Sequence, residues 1–416
     1  MRNTSLTTIS LFVASLTTSF LTACVDYNEV SRLVNVKIQL QAPNGFNSST
    51  DLANHDITIV NGTRKATATT DANGIATFPG ILPDVYDIST SWDITGDEYK
   101  AATGSATAEE VYTVSASLNA QVLSEAEEYT PLQLKSTAAW KVPIVISKIY
   151  YAASKDKNNK NYVAGKYLEL FNQTGVSVDL AGLYLGMLDS TNPQPFPLGK
   201  LKEDPVIQGN KVLVKQVFRI PTDKAYPLAP GQAAILTNSA TNHSDVSPYE
   251  QDLTNAQFEA KDISGVLVNN PAVPALLTSY TSSGGSATMN LTQSGPCGII
   301  IFRTDEDITT WDKTYGYGKT SGNQSYLLVP KDVIYDGVDA VKNKVNTGPD
   351  IDGKRLYEDI DAGYAFIEAI SGWSGEVLYR RTERVTPDGR IILKDTNNST
   401  NDFQVSKTVK CKEYDH

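Results

Sequence analysis

Four sets of side chains in this 416-residue chain have types and spacings that could support chemistry. Near the C-terminus, "DTNNSTNDF" (395–403) puts Asp395, Asn397, Ser399 and Asn401 at alternate positions. That is how a calcium loop presents oxygen ligands. "PDIDGKRLYEDIDAG" gathers Asp350, Asp352, Glu358, Asp359 and Asp361. Clustered carboxylates bind calcium or, at the right separation, hydrolyse glycosides. "TTWDKTYGYGKTSGNQSYLL" sets Trp311, Tyr315, Tyr317 and Tyr326 among glycines and polar residues. Rigid aromatics on a loop combine apolar area with a polar handle, so these four are the candidate ligand-binding residues. The last set is the three cysteines, Cys24, Cys297 and Cys411.

Much chemistry is missing. The only histidines are His55, His243 and His416, and neither His-x-x-x-His nor Cys-x-x-Cys occurs. The patterns of zinc sites and imidazole-based triads are therefore lacking. "YGYGKTSG" is no phosphate loop, because Lys313 stands where the first glycine is needed. A helix–loop–helix calcium loop needs Gly at its sixth position and Glu at its twelfth. Counted from Asp395, those positions are Thr400 and Ser406. The 395–403 stretch reads as a turn held by its own Asn and Asp side chains. Calcium remains the alternative, with Asp350, Asp352, Asp395 and Asn397 as candidate metal ligands. No other cofactor is expected.

Arg2 is followed by an apolar, hydroxyl-rich run from about Ile9 to Phe20, then Leu21-Thr22-Ala23-Cys24. The run is shorter than the ~20 apolar residues of a membrane span and reads as a secretory signal. The last four residues form a lipobox, which makes Cys24 the lipidation site. The expected order is a signal peptide at 1–23 and a tether at 24–31. The formal charge of −11, without basic runs, argues against nucleic acid as a partner. In an exported chain, Cys297 and Cys411 are candidates for a disulfide.

The elements that must position these residues read as strands. "VNVKIQL" alternates Val34, Val36, Ile38 and Leu40 with polar residues, the period of a half-buried strand. Asp71-Ala72-Asn73-Gly74 is a turn signal between strands. This places a β-sandwich at 32–122, with "LSEAEEYTPLQLKSTAAWKV" (123–142) as a charged linker. "PIVISKIYYA" and "GKYLELFNQTGVSVDLAGLYLGM" open a second β domain at 143–410.

"TDANGIATFPGILPDVYDI" resembles the core motif of transthyretin-like and pilin-type B domains. Tyr167-Leu168-Glu169-Leu170-Phe171-Asn172, Val178-Asp179-Leu180-Ala181-Gly182, Leu228-Ala229-Pro230-Gly231 and the C-terminal "DTNNSTNDF" together resemble the lamin-tail domain, an immunoglobulin-like sandwich. That domain is about half as long as this region, so about 239–375 is expected as a loop-rich insertion. The chain as a whole is similar to an uncharacterised family of Gram-negative outer-membrane lipoproteins.

The expected fold is mainly β, with two β-sandwich domains, the second enlarged by the insertion. The resemblance implies an outer-membrane, lipid-anchored protein, expected at the cell surface. Its role would be non-catalytic binding or accessory work, with an outer-membrane transporter of the TonB-dependent type as partner and a glycan or small molecule as ligand. The alternatives are an adhesin or structural envelope protein, and an exported hydrolase using the acidic cluster.

Overall fold

The alternation at Val34–Gln41 has a direct structural outcome. In the computed structural model, Val34, Val36, Ile38 and Leu40 are buried while Asn35, Lys37 and Gln39 stay at least partly exposed. The structure describes residues 32–415 except 63, 107, 109, 110, 141, 283–287, 387 and 388. Cys24, the expected lipidation site, and the expected signal segment at 1–23 lie outside the described residues.

The first sandwich pairs two sheets. Ile75–Ile81, Val34–Gln41 and Leu132–Lys135 form a three-stranded sheet. Arg64–Thr69, Asp56–Asn61, Asp84–Thr95, Val111–Leu123 and Thr137–Trp140 form a five-stranded one. Val36, Ile38, Ile57, Ile59, Phe78 and Ile88 meet between them. The interval expected as a linker is built into this unit. Leu132–Lys135 runs parallel to the first strand, Thr137–Trp140 pairs with Val111–Leu123, and Leu134 joins the core. The charges around "LQLK" mask this short alternation in the sequence. The helix Gly96–Thr103 starts at a capping box, Thr95 with Glu98.

The second sandwich is larger. One sheet has six strands in the order Phe258–Glu259, Ala233–Thr237, Tyr167–Asn172, Ile144–Tyr150, Val377–Arg380, Phe403–Ser406. The facing sheet runs Lys313–Thr314, Tyr326–Pro330, Lys211–Arg219, Tyr184–Leu188, Ile299–Phe302, Ile334–Val338. Leu277–Thr281 also pairs with Lys211–Arg219. The 239–375 interval therefore supplies five of the second sheet's strands and is integral to the core.

"GIIIF" shows why. Ile299 and Ile301 face the space between the sheets, while Ile300 and Phe302 face an outer layer with Leu201, Ile207, Leu356 and Ile360. A strand covered on both faces reads as a continuous apolar run. Ile300 lies opposite Gly186 on one neighbour and Gly337 on the other. A Cβ at Gly186 would come within 2.8 Å of Ile300 Cγ1. The two glycines make room for the branched side chain.

The sandwiches touch. Asn119 Nδ2 donates to the Ala362 carbonyl at 3.2 Å, and the Trp140 and Tyr335 rings meet edge-on at 5.2 Å. No helix among the described residues is long and apolar enough to cross a membrane.

Candidate functional site

The site is built where the two sheets of the larger sandwich end together. Lys166 precedes the strand Tyr167–Asn172, Asn238 follows Ala233–Thr237, and Lys215 and Gln216 lie on Lys211–Arg219. Between them runs the segment 288–293. Asn238 donates to the Met289 carbonyl at 3.0 Å and accepts from Met289 N at 2.7 Å. Gln216, from the opposite sheet, donates to the Thr288 carbonyl at 3.0 Å and accepts from Asn290 N at 3.1 Å. Each carboxamide thus acts as an extra rung between a sheet and the segment. Met289 and Leu291 are buried in the core. The sheet ends and this segment enclose a cleft of about 460 Å³.

Lys166 is 6% exposed. Its Nζ donates to the Leu291 carbonyl at 2.7 Å and to Gln293 Oε1 at 3.3 Å. Burial brings its pKa down to about 8, because desolvation penalises the charged form. Lys215 forms the far side, its Nζ 3.3 Å from Asp189 Oδ2. Thr281, Ser282, Asn290 and Gln324 complete a mostly hydrogen-bonding wall, and among the described residues no Asp or Glu lines it.

The four aromatic residues expected to bind ligand are split. Trp311 packs beside Phe302, ring centroids 5.9 Å apart, and donates to Glu306 Oε2. Tyr326 is buried, and its hydroxyl donates to Gln324 Oε1 at 3.2 Å. Tyr315 and Tyr317 are exposed, Tyr317 lying against Phe196. The four do not share one binding face, and the run reaches the cleft through Gln324. Sequence reasoning passed over "TMNLTQ", whose period-two pattern was the available signal: Met289 and Leu291 in, Asn290 and Thr292 outward.

The candidate metal ligands are also dispersed. Asp350 accepts from Lys344 at 2.7 Å and from Asn192 at 2.9 Å. Asp352 is exposed, and Asp395 accepts from Arg380 at 3.0 Å. Asn397 sits at φ +52° in a turn at the seam between the sandwiches. Among the described residues, no group of three or more His, Cys, Asp or Glu side chains could hold a metal ion. Of the four expected calcium ligands, the carboxylates of Asp350 and Asp395 already serve protein donors. Asn398 caps the single helical turn Ser399–Asp402, accepting from Thr400 N and Asn401 N.

In the acidic run, Glu358 pairs with Lys202 and Asp359 with Lys331. Asp361 is buried and accepts from Asp339 N, Gly363 N, and Ser399 N and Oγ. The disulfide expectation is corrected too, since Cys297 and Cys411 are both free. Cys297 lies in the core between the sheets, while Cys411 packs against a separate cluster containing Tyr150 and Tyr167. Burial pushes both thiols up to about 12.

A second groove, of about 540 Å³, lies on the first sandwich. There His55 stacks on Trp92 with centroids 3.8 Å apart.

With this geometry in hand, the fold defines a mainly β protein of two sandwiches. A family model described as a protein of unknown function, DUF4876, matches residues 229–410. The match takes in Asn238, the 288–293 segment and Gln324, and leaves Lys166 and Lys215 outside. The crystal structure of a DUF4876 family protein from Bacteroides thetaiotaomicron VPI-5482 is similar in fold. It has a TM-score of 0.55 at 22% identity, covering 89% of this chain and 94% of that one. The structure of fervidolysin from Fervidobacterium pennivorans, a keratinolytic enzyme related to subtilisin, gives a TM-score of 0.19 at 14% identity. It covers 51% of this chain and 26% of that one, and carries no argument. No curated protein matches the chain.

Proposed function

We propose that this chain is a lipid-anchored outer-membrane protein that binds a small polar solute without catalysis, as an accessory to a nutrient transporter. The observation that carries the binding role is the cleft of the larger sandwich. Its walls offer amides, hydroxyls and two lysines within a preformed concavity. The anchor rests on Leu21-Thr22-Ala23-Cys24 following the apolar N-terminal run. A diacylated cysteine that gains a third chain gives the multiple acyl chains that stable attachment requires.

One pair of measurements tests this. The Cys24→Ala protein should move from the membrane fraction to the soluble fraction. That soluble full-length protein, titrated calorimetrically with a panel of mono- and disaccharides and their acidic forms, should bind at least one. Asn290→Ala should weaken that binding. Retention of Cys24→Ala in the membrane would sink the anchor. Absence of any binding, with the protein instead adhering to cells or matrix, would replace solute binding by the adhesin reading.

A further inference from the structure

We infer that the cleft takes an anionic saccharide, whose carboxylate or sulfate sits at Lys166 and faces Lys215. This rests on the solute-binding reading and names its ligand class. An ammonium group has three protons to donate. The two acceptors of Lys166, the Leu291 carbonyl and Gln293 Oε1, are both uncharged. A buried cation without an ionised partner is costly. The carboxyl group that acts on Lys166 through space is Glu250. Glu250 is itself buried, and its Oε2 has no partner among the described residues. Its Oε1 already accepts from Tyr150 at 2.8 Å and from Ser154 at 2.6 Å. Burial raises its pKa, so it is a poor source of countercharge.

The cleft supplies more for an oxyanion. Ser282 is 2% exposed, lines the wall, and its hydroxyl has no partner among the described residues. Lys215 brings a second ammonium group, shared with the buried Asp189 behind the wall at 3.3 Å, and among the described residues no Asp or Glu lines the cleft itself. Charge-assisted hydrogen bonds to an oxyanion are roughly twice as strong as neutral ones. Asn290, Thr292 and Gln324 around the same space suit ligand hydroxyls. A hydroxyl-bearing anion uses all of these groups, whereas a neutral sugar leaves Lys166 uncompensated and an apolar ligand leaves the wall unsatisfied.

The test is calorimetry on the full-length Cys24→Ala protein at low ionic strength. The acidic probes are glucuronate, galacturonate, N-acetylneuraminate and glucose 6-sulfate, and the neutral ones are glucose and galactose. At least one acidic sugar should bind ten times or more tighter than either neutral sugar, and inorganic sulfate should compete with it. Lys166→Met should abolish the preference. Lys166 also holds the 288–293 segment, so Ser282→Ala provides the second variant. It should leave the melting temperature unchanged and weaken the acidic sugar several-fold. Equal binding of neutral and acidic sugars would overturn the anion assignment and leave solute binding standing. Failure of every probe would overturn both.

Discussion

The two sandwiches bury different chemistry. Among the described residues, the polar side chains hidden in the first are hydroxyls: Thr70, Thr90, Thr113, Ser115 and Ser136. The second hides ionisable groups, among them Lys148, Glu169, Glu250, Arg355, Asp361 and Arg380. Architecture explains the contrast. In the first unit, Asn35, Lys37 and Gln39 can reach water from the outer face of their strand. In the second, further segments cover the outer faces of both sheets. Lys148 and Glu169 sit opposite each other on adjacent strands of the six-stranded sheet, both fully buried, with their charges 2.7 Å apart. The C-terminal segment closes over them, with Lys148 Nζ 3.9 Å above the Tyr414 ring and the Tyr414 hydroxyl on Glu169. Covering both faces of a sheet thus turns surface charges into internal ones, and internal charges must be paired.

The largest expected break in this contrast is at Arg380. Its guanidinium is 2.8 Å from Asp336, 3.0 Å from Asp395 and 3.4 Å from Asp402, and Nε donates to the Ile146 carbonyl. Arg380→Met strips the cation from three carboxylates and should cost about 3–5 kcal/mol in urea unfolding. Arg64→Ala, which breaks the exposed pair with Asp84 in the first sandwich, should leave the midpoint almost unchanged. Equal losses would contradict the contrast.

Next is overpacking. Gly186→Ala pushes a Cβ against Ile300 in a strand covered on both faces and should cost roughly 1–3 kcal/mol. Gly62→Ala, on the first sandwich, meets no atom within 4 Å. Any loss there comes from its φ of +56° alone. A smaller loss at Gly186 than at Gly62 would mean that the second sheet repacks freely.

The pH dependence should also separate the units. Burial raises the Glu250 pKa above its unfolded value, so the folded state holds that proton more tightly. The resulting stability is complete below the ordinary carboxylate range and is lost as pH rises through the raised value. The slope within that window is about 1 kcal/mol per pH unit. Glu250→Gln, which cannot ionise, should flatten this part of the stability profile. An unchanged slope would show that another group carries it.

The smallest effect is expected at the helix cap of the first sandwich. Thr95→Ala removes the acceptor for Glu98 N and should cost about 1 kcal/mol, within reach of careful denaturant titration. The solute binding proposed for the other sandwich should not change.

What the sequence determined by itself was the local periodicity and its consequences. Val34 to Leu40 specified a half-buried strand, and Asp71 to Gly74 a turn. "GIIIF" carried a continuous apolar run, but without a partner it could not say which layers would cover it. Asn398 and its neighbours were legible as a side-chain-held turn, since such bonds span only a few residues. Only the tertiary structure joined Lys166, Lys215, Gln216, Asn238 and the 288–293 segment. They lie up to about 130 residues apart, and sheet order, which depends on long-range pairing, sets their distances. It also decided that Asp395 serves Arg380, that Cys297 and Cys411 belong to separate clusters, and that the 239–375 interval builds a sheet. Each of these depends on which face of a strand is covered, and by what. Residue spacing along the chain does not contain that information.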